Sequence, residues 1–215
     1  METSKEVKRL YQRFDKKKIA TMPRVLFEGR IIVVQSEAEA SKAVDYLLAQ
    51  PLLGFDTETR PTFRPGPMNM VALLQVASAD TCFLFRLNHM GLTPSLIRLL
   101  SDKQVRKVAL SWRDDTQQLH RLGDFEMGEF FDLQTHVGEF GIEDRSLQKL
   151  YANVFGQRIS KGQQLSNWEA ENLTNAQKLY AATDAWACLK IYEELEQLKR
   201  NNNWELIKDE ELVSE

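Results

Sequence analysis

Asp56 and Glu58 leave the apolar run Leu52-Leu53-Gly54-Phe55 at alternate positions. Alternate residues of a strand point the same way, so the two carboxylates share a face about 7 Å apart. Two like charges at the edge of a core repel unless a cation lies between them. The other reading turns both outward, with Phe55 and Thr57 inward. A second acid, Asp115 in Ser111-Trp112-Arg113-Asp114-Asp115, falls one turn before Leu119, on the inward face of a predicted helix. Asp114 falls with Gln118 on the outward face, and either aspartate can instead serve the helix dipole. The third is Asp184. Tyr180, Asp184, Ala187, Ile191 and Leu195 form one helical stripe. Tyr180 lies one turn from Asp184, roughly 6 Å along the axis, and either supports chemistry there or only satisfies a buried acid. Four carboxylates are a hard oxygen donor set, suited to divalent cations.

Rigid elements must present these groups. Arg30–Gln35 reads as a strand, followed by an amphipathic helix to about Gln50, with Ser36 and Glu39 as its capping box. Residues 52–58 form the next strand, and 60–69, with three prolines and a glycine, a loop. Residues 70–78 and 81–88 are strands of a hairpin turning at Ala79-Asp80. A helix from Thr93, a strand at 107–111, a helix near 113–122 and a short strand at 130–134 follow. The remainder is mostly helical and closes with a long helix from about Thr174 to Arg200. A hairpin followed by strand–helix alternation predicts a single α/β domain with a mixed sheet.

The chain has 215 residues, 28 basic and 31 acidic, and a formal net charge of −3. No run approaches the roughly 20 apolar residues of a membrane span, and the N-terminus lacks the apolar stretch of a secretory signal. Cys82 and Cys188 lie in apolar runs without metal-ligand spacing, and reduced thiols and a cytoplasmic location are expected. Charge is uneven. Residues 1–29 hold eight Lys/Arg against four Asp/Glu, and residues 205–215 hold five acids against Lys208. These ends read as an N-terminal basic arm or polar helix (1–29) and an acidic C-terminal tail (201–215), flanking a domain over 30–200. An acidic chain can still handle a polyanion where metal ions neutralise it locally.

The set Asp56-x-Glu58, Asp115 and Tyr180-x3-Asp184 resembles the DEDD superfamily of 3′→5′ exonucleases, in its tyrosine-bearing subgroup with ribonuclease D and the Werner-type exonuclease domain. "FDTETRPTF", "VALLQVA", "KVALSWRDDTQQL", "LQKLY" and "LSNWEAENLTNAQKLYAATDAWA" match it in order and spacing, across roughly residues 30 to 200. The resemblance implies a ribonuclease-H-like fold, a mixed sheet with helices on both sides. It implies release of nucleoside monophosphates from a 3′ end with two ions, Mg²⁺ or Mn²⁺, about 3.5–4 Å apart. Asp56 would bridge both ions, Glu58 and Asp184 would share the nucleophile-side ion, and Asp115 would hold the other largely through water. Tyr180 would orient the attacking water, a phenol near pKa ~10 being a poor base at neutral pH. None of His89, His120 and His136 occupies the position of the histidine-bearing sister subgroup.

The implied partner is nucleic acid with a free 3′ end: single-stranded DNA or RNA, or a recessed end, with a slight lean to DNA. No membrane is expected, and a separate helicase partner stays open. Arg60, Phe63 and Arg64 on the loop beyond the acids, and Arg158 and Lys161 before the last helix, are candidate strand contacts. Trp168 is expected in the core. An inactive nucleic-acid-binding or interaction module on the same fold is the alternative, and the presence of all five motif residues speaks against it.

Overall fold

The computed structural model describes residues 7–63 and 68–209. In chain order the elements are β1 (Lys8–Tyr11), α1 (Lys16–Ile19), β2 (Arg30–Val34), α2 (Glu37–Leu48), β3 (Leu52–Thr59), β4 (Val71–Ala77), β5 (Thr81–Arg86) and α3 (Leu87–Met90). They continue with α4 (Pro94–Ser101), β6 (Arg106–Ala109), α5 (Trp112–His120), β7 (Phe130–Asp132), α6 (Leu133–Glu139), α7 (Leu147–Phe155), α8 (Asn175–Asn201) and β8 (Trp204–Ile207). Six strands form one sheet in the order β2-β5-β4-β3-β6-β7. The β3–β4 and β4–β5 pairs are antiparallel and the other three parallel, so the sheet is mixed.

The apolar pattern of β3 decides how the sheet is covered. Leu53 and Phe55 are fully buried beneath α2, α4 and α5, in a cluster with Val44, Leu47, Leu96, Trp112 and Leu119. Gly54, Asp56 and Glu58 therefore face the opposite layer, where α8 lies across β3, β4 and β5. There Ala181, Ala182 and Ala185 pack on Ala77, Cys82 and Leu84. Alanines keep the helix low on the sheet. At Gly54 the approach is closer still: a Cβ there would stand 2.0 Å from the Ala185 carbonyl oxygen, so only glycine fits.

Caps set the helix boundaries. Ser36 Oγ accepts from Glu39 N (3.4 Å), while Glu39 reaches back to Gln35 N (2.8 Å). Thr174 and Gln177 form a reciprocal capping box at the start of α8. The predicted strand at 130–134 ends two residues early, because the Asp132 carboxylate caps α6 through Gln134 N (2.9 Å).

The expected N-terminal arm or polar helix is corrected over residues 8–11, and so is the unstructured part of the tail at 204–207. These stretches are β1 and β8, paired in parallel as a separate two-stranded sheet. Leu10 is fully buried, and Phe14, Ile19 and Phe27 are core residues. Removing residues 1–29 would therefore cut into the core, and the segment is not a detachable tail. Both cysteines are buried and free, and Trp168 is fully buried as expected. Among the described residues no helix is long and apolar enough to cross a membrane.

Candidate active site

Two carboxylates of β3 and one from α8, distant in sequence, converge at the end of β3. Asp56, Glu58 and Asp184 each offer an oxygen, and these atoms lie within 4.8 Å of one another. The alternation of β3 puts Asp56 and Glu58 on the face of α8, and the Gly54 contact brings that helix near enough for Asp184 to join them. Glu58 is 9% exposed and Asp184 7%, whereas Asp56 opens partly onto the cleft.

Burial and mutual repulsion work against ionisation of all three. Glu58 is pushed up to about 10, first by burial and then by the charges of Asp56 and Asp184. Asp56 is raised well above its ordinary range by burial and by Asp184 and Asp115. Asp184 rises to about 7 through burial, held back by hydrogen bonding from Tyr180 and by the charge of Lys161. Tyr180 itself moves far above its ordinary value, because burial and the neighbouring carboxylates oppose a phenolate. Its ring packs 6.0 Å from that of buried Trp168. Such a group of oxygens, unable to ionise together alone, fits divalent cations.

Asp115 stands apart from this trio. It lies in the first turn of α5, and its carboxylate accepts a hydrogen bond from the Thr57 hydroxyl. Burial lifts it to about 6. Thr57, between the two β3 acids, thus ties them to the helix carrying the fourth. The start of α5 is set by Asp132, whose carboxylate accepts from Ser111 N (2.9 Å) and Trp112 N (3.2 Å) while also capping α6. Ser111 there takes a left-handed conformation, φ 56°. Sequence reasoning missed Asp132 by extending a strand through it, although an aspartate just before Leu133-Gln134-Thr135 is a helix-cap signal.

The trio opens onto a cleft of about 290 Å³, walled by Tyr180 on one side and by the N-terminus of α7 (Ser146 to Gln148) and the segment Ile159–Lys161 on the other. Gln148 Nε2 donates to the Ile159 carbonyl (2.9 Å), joining those two walls. Cys188, one turn beyond Asp184, also lines the cleft, and burial and the acids keep it a thiol. The candidate strand contacts separate. Lys161 stands exposed at the cleft, acting on Asp184. Arg60 is paired with Glu169 (3.1 Å) at the rim, and Phe63 is 77% exposed beyond it. Arg158 is turned away from the expected role: its Nε donates to the Met22 carbonyl (2.9 Å). Arg64 lies outside the described residues.

Two further residues escaped the sequence reading. Arg86 is fully buried at the end of β5 and donates to the carbonyls of Ala170 and Glu171, fixing the loop that carries Trp168 and Glu169. Gln75, in register with Asp56 on the neighbouring strand, is fully buried with both amide atoms unpartnered. Of the histidines, His136 is buried among Phe131, Phe140 and Tyr192, remote from the cleft lining.

The sequence and the fold have counterparts. The 3′-5′ exonuclease family pattern matches residues 31–199. The mouse bifunctional 3′-5′ exonuclease/ATP-dependent helicase WRN is 35% identical over 153 residues, covering 68% of this chain and 11% of that protein. The chain thus spans only a small part of that relative. The EXO domain of Aedes aegypti Nibbler superposes with a TM-score of 0.71 at 25% identity, covering 83% of this chain and 92% of that domain. Escherichia coli RNase D shares the fold, with a TM-score of 0.70 at 20% identity over 82% of this chain and 46% of its own.

Proposed function

We propose that this chain, which belongs to the 3′-5′ exonuclease family, removes nucleoside monophosphates one at a time from the 3′ end of a DNA or RNA strand. The convergence of Asp56, Glu58 and Asp184 at a cleft bounded by Tyr180 carries the reading. Their oxygens suit hard divalent cations, and family membership implies such dependence. We assign Asp56, Glu58 and Asp184 to holding two ions, Mg²⁺ or Mn²⁺, with Asp115 as an outlying ligand. Bound there, the ions would activate water at neutral pH and neutralise charge on the scissile phosphate.

The remaining work falls to the chain. Tyr180, too weak an acid to exchange its proton in this setting, presents its hydroxyl to the water poised beside Asp184 and fixes the direction of attack. Lys161 and the start of α7 line the cleft, where the Lys161 ammonium would meet the phosphate oxygens of the terminal nucleotide. Trp168 and the Arg86-bound loop behind it keep the Tyr180 ring from turning. A 3′-phosphate would bring a further dianion against the acids.

A 5′-labelled oligonucleotide, as DNA and as RNA, provides the test. The expected product is a ladder shortening from the 3′ end, dependent on Mg²⁺ or Mn²⁺ and slowed strongly by a 3′-phosphate. Cleavage of a circular single strand, or full activity in excess chelator, would overturn the assignment.

A further inference from the structure

The segment preceding β2 carries more positive charge than its own ion pairs use. Lys8, Arg9 and Arg13 are tied to Glu194 (3.2 Å), Glu205 (2.8 Å) and Glu143 (2.7 Å). Lys16, Lys17 and Arg24 are exposed and form no ion pair among the described residues. Lys18, also exposed, lies 5.6 Å over the Tyr11 ring and faces no described carboxylate at ion-pair distance. In a chain whose net charge is −3, four cations within nine residues, none with an acidic partner among the described residues, are a local device.

Two of the four have a fixed place: Lys18 lines a groove at the far end of α7, and Arg24 bridges to the Arg158 backbone. Helix α7 presents its N-terminal end, Ser146 to Gln148, to the carboxylate cleft. Its C-terminal end, Ala152 to Gly156, lines a second open groove of about 710 Å³ with Lys8, Arg9, Tyr11, Phe14 and Lys18. The stretches of α7 that line the two are centred seven residues apart, at 147 and 154, so cleft and groove stand roughly 10 Å apart along its axis. Residues 156–161 run between them, ending at Lys161 on the cleft. The basic segment is stitched to that strip: Arg158 N donates to Pro23 O (3.0 Å), Val25 N to Arg158 O (3.0 Å), and Arg158 Nε to Met22 O (2.9 Å). Among the described residues, no acid lines the groove. A comparable groove along α8 is lined by both signs, with Glu193, Glu194 and Glu196 beside Arg106, Lys190 and Arg200.

We propose that the strip from the groove to Lys161 is the track for the part of a nucleic-acid strand lying 5′ to the scissile phosphate, with Lys16, Lys17, Lys18 and Arg24 contacting its phosphates. This rests on the reading that the cleft receives a 3′ end. Arg158 enters as a structural staple that holds the track in place, not as a phosphate ligand. The track explains how an acidic protein retains a polyanion while successive nucleotides are removed.

The test measures binding apart from turnover. Anisotropy of a 5′-labelled trinucleotide and a 5′-labelled dodecanucleotide is recorded with Ca²⁺, for the wild type, for Lys16→Gln/Lys17→Gln/Lys18→Gln and for Arg24→Gln. The triple variant is expected to bind the dodecamer about 10-fold more weakly. Its salt dependence should flatten by roughly 2 in logarithmic slope, at about 0.7 for each phosphate no longer neutralised. Trinucleotide binding should be unchanged. Arg24→Gln should show a smaller loss of the same kind, and it decides the matter if the triple variant melts early. Equal loss on both lengths, or no loss on the dodecamer, would overturn the track while leaving the exonuclease reading intact. A wild type that binds neither oligonucleotide would overturn both.

Discussion

Gly54 and Ala185 meet backbone to backbone: a methyl group on Gly54 would sit 2.0 Å from the Ala185 carbonyl oxygen. The contact lies two residues before Asp56 and one after Asp184, so it sets the spacing of the carboxylates. Gly54→Ala must push α8 off the sheet. We expect a loss of stability of roughly 1–3 kcal/mol from overpacking, and a fall in activity at temperatures where the variant is still folded. Denaturant midpoints and initial rates measured together check this. A variant that is destabilised yet fully active would show that the contact does not govern the site.

The raised carboxylates make a pH prediction for the metal-free protein. Asp115 at about 6, Asp184 at about 7 and Glu58 at about 10 all exceed the values near ~4 of an unfolded chain. The folded state therefore holds more protons than the unfolded state above pH ~4, and stability must fall as pH rises. In chelator, melting temperature should decline from about pH 4 upward, the part due to Asp115 ending near pH 6, that due to Asp184 near 7, and that due to Glu58 continuing towards 10. Saturating Mn²⁺ should largely remove the decline, because the ions replace protons as counter-charge. Asp184→Asn should shrink the decline and abolish activity without lowering the melting temperature at pH 8. A profile that is flat or rises in chelator would contradict the electrostatic description.

Tyr180→Phe keeps the ring against Trp168 and deletes only the hydroxyl. The expected result is a kcat reduced by on the order of 10- to 1000-fold through poorer positioning of the water, with KM nearly constant. Steady-state kinetics on a single oligonucleotide separate the two parameters. An unchanged kcat would reduce Tyr180 to a core residue.

Gln75 is buried without a partner for either amide atom. An unsatisfied buried amide costs about 1–3 kcal/mol, so Gln75→Leu, close in shape, is expected to be neutral or stabilising. Thermal unfolding in chelator gives the answer. Marked destabilisation would show that the amide is satisfied in solution, by water or by the neighbouring Asp56.

The parts of this fold that are legible in the sequence are those with local physical signals. Thr174 and Gln177 announce α8, Ser36 and Glu39 announce α2, and the alternation through Phe55-Asp56-Thr57-Glu58 predicts which face the acids share. The pairing of β1 with β8 is illegible. Four residues such as Lys8-Arg9-Leu10-Tyr11 are too short for a period, and their partners lie far along the chain. The site divides in the same way. Residue types and spacing point to the carboxylates, but Thr57 on Asp115, Asp132 across Ser111 and Trp112, and Arg86 on the Ala170 and Glu171 carbonyls depend on tertiary approach. Arg158 misleads for a related reason. A cation near a motif looks free until the backbone that its guanidinium caps is known.

The parallel pairing of Lys8–Tyr11 with Trp204–Ile207 has a consequence for synthesis of the protein. Arg9 and Glu205, bonded across it, are 196 residues apart. On the ribosome, residues 8–11 emerge well before their partner strand, which is made 196 residues later. Until then β1 has its contacts with α7, where Asn153 bonds the Tyr11 backbone at both its N–H and its carbonyl. Closing so long a loop is slow, and its entropic cost grows only logarithmically with length. The clasp is therefore a late folding event, and a chain stalled before residue 204 would carry its carboxylates while β1 lacked its partner strand.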